Sequence, residues 1–489
     1  MASENQQLHF ILVPLMSSSH IIPLTDFAKL LARQGQAVTI ITSPLNAIRF
    51  NPLIERAIKS NLKIQLIALR FPCQEAGLPD GCENLDALTS PDLTKQFFEA
   101  SAMLQEPLEK VLAKLLPRPT CIVSTNAIPW TREIAQKFGI PRYVFHTISC
   151  FTLACSHIID RSKILETVSS DFESVLVPDM PHKIEFKKSH LPEAMRQNSS
   201  ELKNILDKMK EAAHSAQGVV VNSFEELEPS YVEMYKNVMK NVWCIGPVSQ
   251  CNKEIVDKFD RGNKTSIDED SCLKWLDSMK PKSVIYACFG SLSRIPPTQS
   301  IEIGLGLEAS NRPFIWIIRD RDYTMEVKKW FEDETFEERV KGRGLIIRGW
   351  APQVLILSHS SIGGFLTHCG WNSTLEAICA GVPMITWPMF AEQFYNEKFV
   401  VHVLRIGVRI GVEGVLQSGE KAKDEVLVKG EQVKEAIDQL MDEGEEGEGR
   451  RKRARDVGDM AKGATEEGGS SYSNTKLLIQ DVMNWRMHQ

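Results

Sequence analysis

No two of the 11 cysteines are spaced C-x-x-C, and their number is odd, so the sequence offers neither a disulfide framework nor a zinc site. Reduced thiols, and with them a cytoplasmic location, are the expectation. Basic charge is not in surplus either: 57 Lys and Arg stand against 63 Asp and Glu, a net charge of −6. That balance excludes a nucleic-acid binder working by phosphate neutralisation. The opening MASENQQLHFILVPL has no basic segment before its short apolar run, which turns polar at Ser17, so it reads as neither a signal peptide nor a membrane span. The sequons at Asn198, Asn263 and Asn372 then read as chance. Repeats at solenoid periods are missing, and nothing in the composition sets an oligomeric state, leaving monomer as the default.

What is present is 489 residues, 43% hydrophobic and 25% charged, the composition of a globular protein. That length suits two domains of roughly 200 to 250 residues. HFILVPL from His9, PLTDFAKLLARQG from Pro23 and AVTIITSP read as a β-α-β unit, with Pro23 in the first helical turn, Phe27, Leu30 and Leu31 facing inward and Gly35 ending the helix. The alternation recurs at KIQLIAL, TCIVST, PRYVFH and GVVVNSF, lapses after Val248 into a charged, Asn- and Asp-rich stretch, and restarts at SVIYACFGS. Two parallel, doubly wound α/β domains follow: residues 1–248, a linker over 249–270, and 271–465, with 466–489 a final helix folding back on the first domain.

The densest chemistry lies in WAPQVLILSHSSIGGFLTHCGWNSTLEAICAGVPMITWPMFAEQ, from Trp350 to Gln393. IGGFLTH reads as a strand leading through a tight turn into a helix capped by Asn372 or Ser373, and a helix start of this kind is an anion site. His368, Asn372 and Ser373 add donors suited to a diphosphate, and Glu376, one turn in, suits vicinal hydroxyls such as those of ribose. Glu392 and Gln393 emerge after the next strand, where a carboxylate beside an amide fits sugar hydroxyls. Gly290-Ser291 offers another contact at that edge; Trp350 offers a stacking face for a planar base, with Gln353 at its polar edge. Singly, Trp350 and Trp371 fit core aromatics, Ser373 a plain cap and Glu376 a solvated residue; their concentration in one strand-turn-helix context favours binding.

This stretch resembles the plant secondary product glycosyltransferase signature, and the whole chain resembles the plant UDP-dependent glycosyltransferases of the GT-B fold. The resemblance implies two facing Rossmann-like domains with a cleft between them. It implies Trp350 on uracil with Ala351 and Gln353 at its edge, Glu376 on ribose, His368, Asn372, Ser373 and Ser291 on the diphosphate, and Trp371, Glu392 and Gln393 on the sugar. Trp371 and Gln393 go with a glucose donor in such enzymes, and Glu392 stands where many members carry Asp. UDP-glucose is then a co-substrate, with no resident cofactor and no metal.

His20, in the loop MSSSHIIP after the first strand, is placed to take a proton from an acceptor hydroxyl. It matches the family's catalytic His. In the family a buried Asp a few residues before a Pro-Trp pair orients that His; here VSTNAIPW puts Thr125 at the place, or Asn126 on a one-residue shift. A hydroxyl orients imidazole without neutralising imidazolium. Three outcomes stay open: another carboxylate fills in, the acceptor is acidic enough to need little help, or catalysis is weakened.

Asp320-Arg-Asp322 matches a short metal-site pattern of other glycosyltransferases and reads as solvated surface, and Gly304-Leu-Gly306, inside a helical run, is no dinucleotide fingerprint. The stretches Glu75–Ser90 and FHTISCFTLACSH around Cys150 are expected to bind a lipophilic, hydroxylated acceptor, whether flavonoid or other phenol, triterpenoid or steroid. Transfer to an activated aromatic carbon and a weakly catalytic sugar-nucleotide-binding protein are the alternatives.

Overall fold

The structure, a computed structural model, describes residues 7–196, 201–412 and 426–487; the first residues of the chain and the sequon at Asn198 lie outside them. Fifteen strands are present among the described residues: β1 His9–Val13, β2 Ala37–Thr42, β3 Ile64–Ala68, β4 Cys121–Thr125, β5 Arg142–His146, β6 Ser174–Leu176, β7 Glu185–Lys187, β8 Gly218–Val221, β9 Val242–Cys244, β10 Val284–Cys288, β11 Phe314–Ile318, β12 Gly344–Arg348, β13 Ile362–Thr367, β14 Met384–Thr386 and β15 Gly407–Arg409. The chain divides into two compact units, one of Met1–Cys150, Ser199–Gly262 and Gly463–Gln489, the other of Phe151–Asn198 and Asn263–Lys462.

The first unit holds a seven-stranded sheet ordered β3-β2-β1-β4-β5-β8-β9, all parallel. Every residue of β1, β2, β4 and β5 is buried, which is why these strands read as unbroken apolar runs rather than alternating ones. The first helix is Ser18–Arg33, longer at its start than expected. Pro23 therefore lies inside it rather than in its first turn, and His20 sits on the helix rather than in a loop. Serines 17 and 18 allow the early start, because the Asp86 carboxylate accepts the Ser18 N–H and the Ser17 hydroxyl, both at 3.2 Å, at the positive end of the helix. Phe27 and Leu31 are buried and Leu30 partly so, and the chain leaves the helix through left-handed Gly35. The C-terminal helix Ser470–Met487 lies against β9 and adds Leu478 and Val482 to this core, while Asp481 accepts the Tyr143 hydroxyl at 2.6 Å.

The charged stretch after β9 is tied to this unit by buried groups on the first helix. Asp26 pairs with Arg261 at 2.8 Å, and Lys29 bonds Asp257 at 2.6 Å and Asn252 at 2.8 Å.

The second unit holds a parallel six-stranded sheet, β12-β11-β10-β13-β14-β15. The hairpin β6-β7 also belongs to it, since Phe186 packs on Tyr395 with ring centroids 4.7 Å apart and His190 stacks on Phe394 at 4.2 Å. Those contacts are why 151–198 departs from the linear block 1–248. Gly304 and Gly306 lie in helix Pro297–Ala309, where a Cβ on Gly306 would fall 2.4 Å from that of Val433 on helix Gly430–Leu440. These glycines serve close helix packing. All cysteines are free, and among the described residues no helix is long and apolar enough to cross a membrane.

Candidate active site

The carboxyl edge of the second unit's sheet gathers the polar residues of the Trp350–Gln393 stretch. β13 ends at Thr367, His368 follows, Cys369 takes a left-handed φ of 63°, and helix Trp371–Cys379 begins behind Gly370. Gly370, not Asn372 or Ser373, is the N-cap, and no side chain caps from that position. The reason is steric: the His368 ring lies so close that a Cβ on Gly370 would come 2.5 Å from its Nε2. Asn372 and Ser373 fall in the helix's first turn instead, where N–H groups and the dipole favour an anion. Gly290, with φ +74°, packs on the same imidazole; a Cβ there would sit 2.3 Å from Nε2. Burial and the Arg319 charge push the His368 pKa down to about 4 against the nearby Cys288 carbonyl, so the ring is neutral near pH 7.

Three of the expected residues are bonded directly to one another. Gln353 Nε2 donates to Ser373 Oγ at 3.0 Å and to Glu376 Oε2 at 2.8 Å, while its Oε1 accepts from the Tyr286 hydroxyl at 3.4 Å. Half-buried Trp350 stands at the end of β12, its backbone N–H donating to Ser266 Oγ at 3.1 Å and its carbonyl accepting the Ser266 N–H at 2.9 Å. Ser266 was not foreseen, because it lies in the stretch read as a linker. Ala351 is buried next to it.

After β14, Gln393 Oε1 accepts the N–H groups of Met389 and Phe390 at 2.8 and 3.1 Å, closing that loop. Glu392 takes a hydrogen bond from the Trp371 backbone, which brings these two together; burial nonetheless raises its pKa. The Trp371 indole itself is buried beside Phe399, with centroids 6.2 Å apart. Ser291 is half-buried in the loop after β10.

Asp320 is exposed as expected of solvated surface, but Asp322 is not: it is 7% exposed, and its Oδ1 accepts the Ile295 N–H at 3.3 Å. Burial pushes its carboxyl up to about 6 against the charges of Arg321, Arg319 and Arg294. Nothing in the sequence marks this burial, since the loop is as charged as any surface loop. No group of three His, Cys, Asp or Glu poised for a metal occurs among the described residues.

In the first unit, Thr125 and His146 close the neighbouring strands β4 and β5, and His20 lies in the first turn of the helix that follows β1, the strand on the other side of β4. His20 is half-buried, with Nδ1 buried and lacking a hydrogen-bond partner among the described residues, and desolvation pushes its pKa down to about 4. Thr125 is fully buried and its Oγ1 accepts the Leu15 N–H at 2.8 Å. Asp86, whose carboxylate meets the start of the His20 helix, is engaged with Ser17 and Ser18. His146 was named only as part of a stretch. Burial first, then Arg142, then His20, push its pKa down to about 3, and its ring sits edge-on to Tyr235. A His closing an apolar strand was the signal available for it.

The family model described as UDP-glucoronosyl and UDP-glucosyl transferase matches residues 252–442. The chain is 54% identical over 487 residues to UDP-glycosyltransferase 73E1 of Stevia rebaudiana, covering 99% of this chain and 98% of that one. It is 50% identical over 483 residues to UDP-glycosyltransferase 73C5 of Arabidopsis thaliana, covering 98% of each. Among solved structures it is similar to UGT73P12 of Glycyrrhiza uralensis complexed with glycyrrhetinic acid 3-O-monoglucuronide, at TM-score 0.90 and 37% identity, covering 99% of this chain and 97% of that one. It is also similar to Arabidopsis thaliana UGT89C1 complexed with UDP-L-rhamnose, at TM-score 0.76 and 28% identity, covering 98% and 99%. With two parallel α/β units of the GT-B type and such identities over nearly its whole length, the chain belongs to the plant UDP-glycosyltransferases, enzymes that transfer a glycosyl group from a UDP-sugar.

Proposed function

We propose that this enzyme transfers glucose from UDP-glucose to a hydroxyl of a lipophilic small molecule, inverting the anomeric carbon, with His20 as general base. The observation that carries the donor side is the bonded cluster Gln353, Ser373 and Glu376 beside Trp350 and the helix start at Gly370. It supports a base on Trp350, ribose on Glu376 and a diphosphate at the helix start, with Glu392 and Gln393 on the sugar. The acceptor oxygen gives its proton to His20 and bonds to C1 as the bond from C1 to the diphosphate oxygen breaks and UDP leaves. Positioning and stabilisation of the leaving diphosphate supply most of the rate. UDP-glucose is a co-substrate on this reading, which asks for no resident cofactor or metal. The enzyme works as a monomer in the cytoplasm, a location supported by its free thiols.

Phenolic acceptors such as flavonoids are favoured over triterpenoid and steroid alcohols, because an uncompensated imidazole is best matched by an acidic hydroxyl. Relatives have been solved with glycyrrhetinic acid 3-O-monoglucuronide and with quercetin, which supports a lipophilic acceptor in general. A panel of such acceptors with UDP-glucose and UDP-galactose, read by mass detection, tests the reading; His20→Ala should abolish product. An acid-resistant product would instead indicate transfer to carbon. A second reading, a sugar-nucleotide binder with little catalysis, is favoured by the engagement of Thr125 with Leu15. Wild type and His20→Ala equally inert while binding UDP would establish it.

A further inference from the structure

The loop between the end of β10 at Cys288 and the helix start at Pro297 carries Gly290 and Ser291 and has no regular structure of its own. Three side chains that follow β11 hold it. Arg319 Nε donates to the Gly290 carbonyl at 3.0 Å, and Arg321 Nη2 donates to the Ser291 carbonyl and, at 2.7 Å, to that of Ser293. Asp322 Oδ1 accepts the Ile295 N–H at 3.3 Å. Four backbone groups across six consecutive residues are thus taken by three side chains within residues 319–322. Gly290 has no slack to drift, since the imidazole of His368 fills the place of its missing Cβ. Arg319 does a second thing: its Cζ lies 4.8 Å over the centroid of the Trp350 ring.

We propose that Arg319, Arg321 and Asp322 are positioning residues of the donor site, fixing the loop of Gly290 and Ser291, with Arg319 tying that loop to the indole of Trp350. The proposal rests on the reading of Trp350 as the base's shelf and Ser291 as a diphosphate contact. Guanidinium is the group for the task, because its flat face lies on an aromatic ring while its edge donates to a carbonyl; an ammonium is a point charge without that geometry. Asp322 is buried where a carboxylate is costly, which fits a structural duty toward the loop and not the solvated role its sequence setting indicated. One guanidinium then sets both the place where the base stacks and the backbone that meets the phosphates.

The test uses the full chain, with binding of UDP and of uridine measured by calorimetry alongside thermal melts. Arg321→Met, which loses the bonds to the Ser291 and Ser293 carbonyls and leaves the Arg319 guanidinium over Trp350 in place, should weaken UDP by about tenfold and leave uridine unchanged, whereas Arg319→Met should weaken both by about tenfold. In turnover this appears as a raised KM for UDP-glucose with kcat and the acceptor KM close to wild type. Arg319→Lys should restore little of the affinity. If Arg319→Met does not fold, Arg319→Lys decides: weakened UDP binding at an unshifted melting temperature supports the clamp, and wild-type binding overturns it. Arg319 and Arg321 variants that bind UDP as wild type does, while Trp350→Ala loses it, overturn the clamp alone. A wild type that takes up no UDP overturns the donor-site reading and the clamp with it.

Discussion

The hydroxyl of Thr125 accepts the backbone N–H of Leu15 at 2.8 Å, at the foot of the turn that leads into the helix of His20. A side chain committed in this way braces the turn but brings no negative charge to the imidazole. The first outcome left open by the sequence, a replacement carboxylate, therefore gains nothing from the His20 environment, whose only resolved influence is desolvation. With the His20 pKa near 4, the base form persists through mildly acidic solution, and the acid limb of kcat/KM is expected near pH 4 and not near 6.5. Thr125→Asp should move that limb to higher pH and speed transfer to weakly acidic alcohols by at least about tenfold, with a smaller gain for phenols. A pH profile and a Brønsted series on both proteins would check this; an unmoved limb would count against His20 as the base.

Stability should depend on pH through the same kind of group. His146 and His368 are buried and neutral in the folded chain, their pKa values pushed to about 3 and about 4, whereas unfolding restores the ordinary 6.5. Between those values the unfolded chain binds more protons, so stability is fully present above pH 6.5 and is lost as pH falls, until the folded pKa is passed. Each group contributes a slope of up to about 1.4 kcal/mol per pH unit in that window. Urea denaturation at pH 7 and pH 5 measures it, and His146→Leu should reduce the difference between the two midpoints.

The sheets were legible because their strands are buried on both faces and so appear as apolar runs, as in β1 and β10. The grouping of Gln353, Ser373 and Glu376 was legible because these residues are close in sequence as well as in space, within one strand-turn-helix passage. What stayed hidden depends on partners distant in sequence. Ser266 beneath Trp350 and Asp322 beneath Ile295 look like surface residues until the chain folds. The hairpin of Phe186 was missed because its strands are only three residues long, too short to show alternation, and its role comes from packing on Tyr395.

The stretch after β9 invites a test of how firmly it is bound to its unit. Asp26 is 1% exposed and Arg261 is its ion-pair partner at 2.8 Å, with Asn252 a second donor. Arg261→Ala leaves that carboxylate buried and short of its cation, a change expected to cost about 3 to 5 kcal/mol. The thermal midpoint should fall by roughly 10 °C. Asp26→Asn combined with Arg261→Met removes the charge along with its partner, and should recover much of the loss. A single variant as stable as wild type would mean that the stretch is held by its other contacts alone.

Glu376 can be separated from the rest of the proposed donor site by chemistry and not by position. Its Oε2 is held by Gln353 Nε2 at 2.8 Å, which fixes the carboxylate's direction. If it accepts hydrogen bonds from ribose hydroxyls, Glu376→Ala should weaken UDP by about tenfold, the worth of one or two charged hydrogen bonds. The same substitution should matter less to 2′-deoxy-UDP, which lacks one of the hydroxyls, so the two ligands converge in affinity on the variant. Gln353→Ala, which frees the carboxylate without removing it, should fall between wild type and Glu376→Ala. Equal losses for both ligands on Glu376→Ala would instead assign the residue to holding Gln353 and the helix, with no part in reading the sugar.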